Sequence, residues 1–201
     1  MMHPIIAILR GIRPNEAAPI ARALVAAGIT QIEAPLSAPD SFDSISAMLD
    51  AVGDDARIGA GTVLNRSDVA RLAALGTRLV VSPDCNPDVI GATKAAGMLS
   101  YPGVFTATEA FTALRAGADG LKFFPAFKLG ADGFKALSAV LPTGCESYAV
   151  GGIGPENFAE WLGAGISGFG IGSHLYRPGA TAEDVGDRAR KIVDAYTAVR
   201  K

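Results

Sequence analysis

The chain has 201 residues, of which 49% are hydrophobic, and its formal net charge at pH 7 is −2. A chain of this length and composition can fill one large core or two small ones. The slightly acidic balance and the lack of any Lys/Arg block argue against nucleic acid as the main partner.

The N-terminal stretch MMHPIIAILR is apolar and has no basic region in front of its apolar part. It is too short for a signal peptide or a membrane span, so we interpret it as the first strand. Further short runs rich in apolar and β-branched residues recur every 20 to 26 residues or so, about the length of one strand, one helix and two short loops. The eight predicted strands are residues 5–9, 31–36, 57–63, 77–83, 98–104, 120–126, 147–152 and 168–173.

The stretches between these strands carry apolar residues at helical spacing, as in Val69, Leu72 and Ala73. Proline or capping residues mark helix starts at Pro14-Asn15-Glu16, Ser67-Asp68, Pro87-Asp88, Thr108-Glu109 and Pro155-Glu156. A glycine just past a helix end supplies the left-handed residue that closes it. The glycines at such positions are Gly28, Gly76, Gly97, Gly117 and Gly165.

Strands that alternate with helices predict a parallel sheet of the α/β class. Eight such units favour a closed (β/α)8 TIM barrel, and we expect residues 1–201 to form a single domain. A doubly wound open sheet is the alternative. The glycine-rich stretches at 59–61 and 151–154 do not make a dinucleotide fingerprint in the first-strand context that such a sheet requires.

Polar residues fall at the strand ends that carry catalytic groups in parallel barrels. Arg10 ends the first predicted strand and Thr62 lies near the end of the third, while Glu33 and Lys122 lie in the second and sixth. Period-two alternation places Glu33 and Lys122 on the faces opposite to their apolar neighbours. If these faces point into the barrel mouth, all four side chains converge there.

Lys122 stands inside the apolar run GLKFFPAF, where an ammonium group must be paired, solvated or neutral. A neutral amine can attack a ketone and form a Schiff base, through which a carbon–carbon bond breaks or forms. Glu33 is suited to carry protons, and Arg10 with Thr62 to hold a substrate carboxylate. The structural alternative is a buried ion pair without chemistry. A cluster of buried charges at the carboxyl ends of the strands favours a functional site over a purely structural ion pair.

Two glycine-rich loops, AVGGIGPENF at 149–158 and GIGSHLYRPG at 170–179, follow the last two predicted strands. This is where barrels of this kind bind phosphate, because glycine lets backbone N–H groups approach an anion. Two tight strand-to-helix turns are the alternative interpretation. The predicted phosphate cradle consists of Gly151, Gly152, Gly172 and Ser173, and Arg177 is close enough in sequence to contribute.

Eight motifs span nearly the whole chain: LRGI (9–12), IEAPL (32–36), GAGTVL (59–64), SPD (82–84), YPGVFTATEA (101–110), LKFFPA (121–126), GGIGPEN (151–157) and GSHLYR (172–177). With these motifs the chain resembles the class I aldolases of the 2-keto-3-deoxy-6-phosphogluconate (KDPG/KHG) family. The combination of LKFFPA, GAGTVL and the second-strand glutamate is the specific part of the resemblance.

The family has two close branches, which differ in where an arginine binds the pyruvate carboxylate. The gluconate branch carries it shortly after the second-strand glutamate, where this chain has PLSAP (35–39) and no arginine. Arg10 in LRGI and the segment LYRPG (175–179) are similar to the 2-keto-3-deoxy-6-phosphogalactonate branch, whereas KFFPA is closer to the gluconate branch.

By this resemblance Lys122 forms the imine, Glu33 is the acid/base, and Arg10 and Thr62 bind the substrate carboxylate. The resemblance also implies a homotrimer and a cytoplasmic role in sugar-acid catabolism. It implies a phosphorylated sugar acid and pyruvate as partners, with no nucleic acid, membrane, cofactor or metal. The further pocket residues that it implies are Pro83 and Phe124.

Three other interpretations stay open at this stage. The substrate can be the gluconate epimer, which differs only in configuration at C4. The same barrel can house a phosphosugar isomerase or epimerase, although the His/Asp ligand set of the metal-dependent types is missing. The chain can also be a non-catalytic sugar-phosphate binder. Cys85 and Cys145 are interpreted as reduced thiols, and His3 and His174 as too few for a metal site.

Overall fold

The predicted apolar runs become strands that are buried almost throughout. The structure is a computed structural model that describes residues 3–200. Within them all strands pair in parallel in one sheet. The strands are β1 (Ile5–Ile8), β2 (Gln31–Pro35), β3 (Arg57–Gly61), β4 (Leu79–Val81), β5 (Leu99–Tyr101), β6 (Gly103–Val104), β7 (Gly120–Phe123), β8 (Glu146–Val150) and β9 (Gly168–Ile171).

Helices follow the strands and cover the outside of the sheet. They are α1 (Pro14–Ala26), α2 (Ser41–Val52), α3 (Arg66–Leu75), α4 (Pro87–Ala95), α5 (Ala107–Arg115), α6 (Ala126–Ser138), α7 (Phe158–Gly163) and α8 (Ala182–Val199), with a 3-10 turn at Pro155–Asn157. The five glycines predicted to close helices all have positive φ, between 75° and 97°. Each therefore has the left-handed backbone that glycine adopts at little cost.

The strand order, β5-β4-β3-β2-β1-β9-β8-β7-β6, closes into a barrel at Pro102. The prediction of one strand over 98–104 is wrong in this detail, because Pro102 has no N–H to donate and divides the run into β5 and β6. The first half pairs with β4 and the second with β7. The Lys122 N–H donates to the Pro102 carbonyl at 2.9 Å, so the ladder continues across the break. The predicted (β/α)8 barrel is confirmed, and the doubly wound open sheet is excluded.

Side chains alternate between two cores, one inside the barrel and one between the barrel and its helices. The inner core consists of Ile6, Ile8, Leu79, Val81, Tyr101, Tyr148 and Val150. The outer core takes the opposite faces of the same strands, including Ala7, Ile32, Ala34, Leu121 and Phe123. Glu33 and Lys122 alternate with these outer residues, so the predicted period-two pattern directs both polar side chains into the barrel.

Two smaller predictions concern the cysteines and the membrane. Cys85 and Cys145 are both free thiols, in agreement with the interpretation as reduced cysteines. Across residues 3–200, every helix is too short or too polar to cross a lipid bilayer.

Candidate active site

Apart from Glu33 and Lys122, which lie within β2 and β7, the predicted site residues lie beyond the carboxyl ends of the strands, the end at which parallel barrels hold their active sites. Arg10 lies two residues past β1, and Thr62 follows β3 directly. Pro83 lies two residues past β4, half-buried, with its carbonyl beside Gly103. Phe124 follows β7 and is 36% exposed.

Glu33 lies inside the barrel on β2 and is only 1% exposed. Its carboxyl group occupies the space in front of Gly61, where any side chain on that residue would overlap it. Its Oε2 atom is buried without a hydrogen-bond partner, a costly arrangement that stability alone does not explain. Burial raises the pKa of Glu33 to about 7, although Lys122, Arg10 and the Gly61 N–H all favour the ionised form. The group can therefore hold or release a proton near neutral pH.

Lys122 lies on β7 and is 8% exposed. Burial lowers the pKa of its amine; Glu33 opposes this shift, and Arg10 adds to it. No N···O contact within 4.0 Å joins Lys122 to a carboxylate in the described part of the chain. Its Nζ atom lies 4.9 Å from the centre of the Phe124 ring. An amine in this position is poised to lose its proton and act as a nucleophile.

Thr62 has a backbone conformation that is rare for its residue type, with φ at +55°. A β-branched residue in the left-handed region is strained by about 1–3 kcal/mol, and such strain concentrates at functional sites. Thr62 is half-buried immediately after Gly61, the residue that makes room for Glu33. The strained residue therefore follows directly on the glycine that accommodates the Glu33 carboxyl group.

A cavity of about 460 Å³ opens at this end of the barrel, within the usual size range of small-molecule sites. Lys122 and Glu33 lie deeper in the barrel, where Phe124 connects the lysine to the cavity. Thr62 and Pro83 are not part of the cavity wall as the structure describes it. The predicted residues that line the cavity are Arg10, Phe124, Gly151, Gly152, Gly172 and Ser173, together with Arg177, which was expected to contribute to the cradle.

The predicted cradle residues meet on one side of this cavity, although the two loops are about 20 residues apart in the chain. Gly151 and Gly152 follow β8 directly, with φ of +96° and +71°, so a side chain on either would strain the loop. Gly172 and Ser173 follow β9, and the Gly172 carbonyl accepts bonds from the Leu175 and Tyr176 N–H groups. The loops carry no carboxylate on the cavity wall.

Several wall residues were missed by the sequence analysis or left without a role, among them His174, Tyr176 and Val150. His174 lies between the cavity and Glu156, with 3.7 Å from Nδ1 to the nearer carboxylate oxygen. The Tyr176 hydroxyl donates to the Glu16 Oε2 atom at 3.0 Å across 160 residues of sequence. Val150 lines the cavity from the inner face of β8. Only the adjacency of His174 to the predicted Ser173 gave a local signal.

A buried amine with a lowered pKa, beside a carboxyl group that titrates near pH 7, is the machinery of enzymes that act on carbonyl compounds through an imine. With the cavity at the carboxyl end of a (β/α)8 barrel, it defines the class of the protein as a carbon–carbon lyase of the class I aldolase type.

Residues 1–191 match the model of the KDPG and KHG aldolase family, and the chain belongs to that family. It is 50% identical over 199 residues to the "Probable 2-dehydro-3-deoxy-6-phosphogalactonate aldolase" of Rhizobium meliloti, which covers 99% of this chain and 94% of the relative. It is 49% identical over 193 residues to the 2-dehydro-3-deoxy-6-phosphogalactonate aldolase of Escherichia coli K12, covering 96% and 94%. A solved structure described as "Native KDPGal structure" is 47% identical with a TM-score of 0.97, covering 100% and 97%.

Gly61→Ala is expected to lower kcat for aldol cleavage by about 10²-fold, because the new methyl group displaces the Glu33 carboxyl group. Gly91→Ala on α4 is the matched control, since nothing lies within 4 Å of the site of its added methyl group. The measurement is steady-state kinetics, with circular dichroism to verify the fold of both variants. Full activity in a folded Gly61→Ala variant would contradict the fit between Gly61 and Glu33.

Proposed function

We propose that this protein cleaves 2-keto-3-deoxy-6-phosphogalactonate reversibly to pyruvate and D-glyceraldehyde 3-phosphate, with Lys122 as nucleophile and Glu33 as acid and base. The observation that carries the proposal is the buried Lys122–Glu33 pair, in which burial lowers the pKa of the amine and raises that of the acid. The choice of substrate is supported by two relatives, about half identical over nearly the whole chain, that carry this activity in their names.

The reaction begins when the neutral Lys122 amine attacks the C2 ketone of the substrate. Burial lowers the pKa of the Lys122 amine, and the positive charge of Arg10 adds to this shift, so both favour the neutral form. The carbinolamine loses its hydroxyl group as water, with a proton from Glu33. The product of this step is a protonated imine, which attracts electrons from the neighbouring carbon–carbon bonds.

Glu33, now ionised, accepts the proton of the C4 hydroxyl, directly or through a water molecule. The C3–C4 bond breaks, its electron pair moves toward the imine nitrogen, and glyceraldehyde 3-phosphate leaves. Protonation of the resulting enamine at C3 and hydrolysis of the imine release pyruvate and regenerate Lys122. A single carboxyl group can serve both as acid and as base because its pKa of about 7 leaves both forms populated.

Arg10 and Thr62 would hold the substrate carboxylate, with Pro83 and Phe124 against the carbon chain. Arg10 lines the cavity and its charge reaches both Lys122 and Glu33, so a carboxylate bound there lies close to the reacting carbon. A guanidinium fork matches a carboxylate with two parallel hydrogen bonds.

Arg10→Lys is expected to raise KM for the keto acid about tenfold, because lysine keeps the charge but loses the two-point contact. Arg22→Lys, on an exposed position of α1, is the control and should leave KM unchanged. The comparison is made by steady-state kinetics over a range of substrate concentrations. An unchanged KM in Arg10→Lys would remove Arg10 from the carboxylate site.

Gly151, Gly152, Gly172 and Ser173 would hold the phosphate group at the other end of the substrate. The support is their position on the cavity wall, in two loops that follow the last two strands and place no acidic side chain on that wall. Backbone N–H groups in glycine loops of this kind bind anions without a dedicated cation. A phosphate-binding site separate from Lys122 would bind phosphorylated sugar acids more tightly than free ones.

The test of the proposed substrate is side-by-side turnover of the galactonate and gluconate epimers, with pyruvate release as the readout. We expect kcat/KM to favour the galactonate epimer. A preference for the gluconate epimer would assign the chain to the other branch, which the KFFPA motif resembles. Turnover of neither epimer would contradict the proposal.

The resemblance to the family also supports a homotrimer that acts in the cytoplasm on sugar acids, without a cofactor. Sedimentation equilibrium would give the number of chains in the assembly. Full activity after treatment with a chelator would agree with a reaction that runs on protein side chains alone.

A further inference from the structure

A second cavity of about 410 Å³ adjoins the phosphate cradle on the outside of the loop that follows β9. Four of its wall residues can carry a positive charge: His174 and Arg177 from that loop, and Arg188 and Lys191 from α8. No acidic side chain belongs to the wall as described. We refer to this cavity, defined by these four residues, as the basic pocket.

Two arginines of the basic pocket, Arg177 and Arg188, are anchored by backbone carbonyls, and among the described residues only His174 of the four has a carboxylate within 4.0 Å. The Arg177 Nε–H donates to the Ser173 carbonyl at 3.3 Å, and an Arg188 N–H donates to the Leu175 carbonyl at 3.5 Å. Both partners are neutral backbone groups. Among residues 3–200, the carboxylate contacts within 4.0 Å involve Lys94, Arg190 and His174, so Arg177, Arg188 and Lys191 have none.

Two carboxylates lie close to the basic pocket: Glu156 faces His174, and Asp184 has a pKa that is lowered mainly by hydrogen bonds from Thr181 and also by the charge of Arg188. Glu156 lies 3.7 Å from His174 and is the acid nearest to it. Asp184, one turn before Arg188 on α8, accepts a bond of 2.8 Å from the Thr181 hydroxyl in the cap of the helix. The net charge facing the pocket is therefore positive, and an anion there meets at least three cations without a competing carboxylate in the wall.

The basic pocket and the active-site cavity have a common wall. Ser173, His174 and Arg177 line both cavities, and Ser173 is also a member of the predicted cradle. A phosphate group that moves from one cavity to the other therefore passes along side chains that belong to both. The wall on the far side, which carries Arg188 and Lys191, belongs to the basic pocket alone.

We infer that the basic pocket is a capture site for phosphate monoester dianions, which holds the phosphate of an incoming substrate before it enters the glycine cradle. This inference rests on the proposed function, in which the substrate is phosphorylated. Clustered charge of one sign at the rim of a cleft raises the local concentration of the oppositely charged ligand and speeds association. Because each exposed charge contributes only a modest free energy, the pocket binds the phosphate weakly enough to pass it on to the glycine cradle.

The test compares two neighbouring residues on α8 that carry the same charge. Lys191→Gln removes a cation from the basic pocket, whereas Arg190→Gln removes one that is paired with Asp187 and lies outside it. For the phosphorylated substrate at low ionic strength, kcat/KM should fall about threefold in Lys191→Gln and about tenfold in Arg188→Gln/Lys191→Gln. The value of kcat should stay constant, and added salt should remove the difference from wild type. Arg190→Gln should behave as wild type.

A second measurement is independent of turnover. Inorganic phosphate should raise the thermal unfolding midpoint of the wild type and of Arg190→Gln more than that of Arg188→Gln/Lys191→Gln. If the wild type cleaves the substrate but the Lys191 and Arg190 variants are indistinguishable in both measurements, the capture site is wrong and the proposed function stands. If phosphate stabilises the proteins in the expected order but no epimer is cleaved, the anion site stands and the proposed function is wrong.

Discussion

Lys122→Ala is expected to lower kcat for aldol cleavage by about 10⁴-fold or more, because no other group in the mechanism can form the imine. Lys122→Arg should be equally inactive. It keeps a positive charge beside Glu33 but cannot form a Schiff base, so it separates the role of nucleophile from that of a counter-ion. Lys128→Ala, an exposed position on the following helix, is the control and should keep wild-type activity.

The covalent step has a direct readout in a borohydride trapping experiment. Incubation with pyruvate and borohydride should add to the peptide of Lys122 the mass of pyruvic acid less one oxygen atom. Lys94 should remain unmodified, because its Nζ atom is held in an ion pair of 2.6 Å with Asp119. An active Lys122→Arg variant, or the trapped mass on another lysine, would rule out the mechanism.

Glu33→Gln is expected to lower kcat by about 10²- to 10⁴-fold, because the amide can neither donate nor accept the protons that the reaction moves. The wild-type rate should fall on the acid side of pH 7, where Glu33 becomes protonated and Lys122 shifts toward its ammonium form. Since the two groups titrate as a coupled pair, the inflection belongs to both. In Glu33→Gln, the part of this pH dependence that is due to Glu33 should be absent. The measurement is a pH–rate profile of each protein.

The same substitution is expected to stabilise the fold above neutral pH. The pKa of Glu33 is raised from 4.5 to about 7, so its contribution to stability is complete below pH 4.5 and is lost as pH rises through 7. Near pH 8 the wild type carries the cost of a buried carboxylate, and Glu33→Gln should be more stable by roughly 2 kcal/mol. The advantage should shrink toward about pH 5, as urea denaturation at both values would measure.

A stable but slow Glu33→Gln variant would separate catalysis from folding, since loss of activity could not then follow from loss of structure. If the variant is less stable than the wild type near pH 8, Glu33 is a structural partner of Lys122 rather than a strained catalytic acid. Wild-type activity with an unchanged pH profile would exclude Glu33 from proton transfer.

The order of strands and helices could be predicted from the sequence because each signal is local. Runs such as IIAIL and RIGAGTV are apolar on both faces, as strands between a filled barrel and its helices must be. Glycines that need a positive φ mark the helix ends. Alternation along a strand likewise determines that Glu33 and Lys122 point away from Ile32 and Leu121, whatever the rest of the fold.

The sequence by itself thus determined the order of strands and helices that predicts the barrel, the faces of Glu33 and Lys122 opposite to their apolar neighbours, and the two glycine loops after the last two predicted strands. Only the tertiary structure decided that β2 and β7 bring Glu33 and Lys122 close enough for each charge to shift the pKa of the other group. It likewise decided that burial is the largest cause of both pKa shifts. It also decided that the ladder closes across Pro102 and that α8 supplies the far wall of the basic pocket. The physical reason is range: alternation and capping depend on neighbours in sequence, whereas desolvation and the shape of a cavity depend on segments that meet only after the barrel closes.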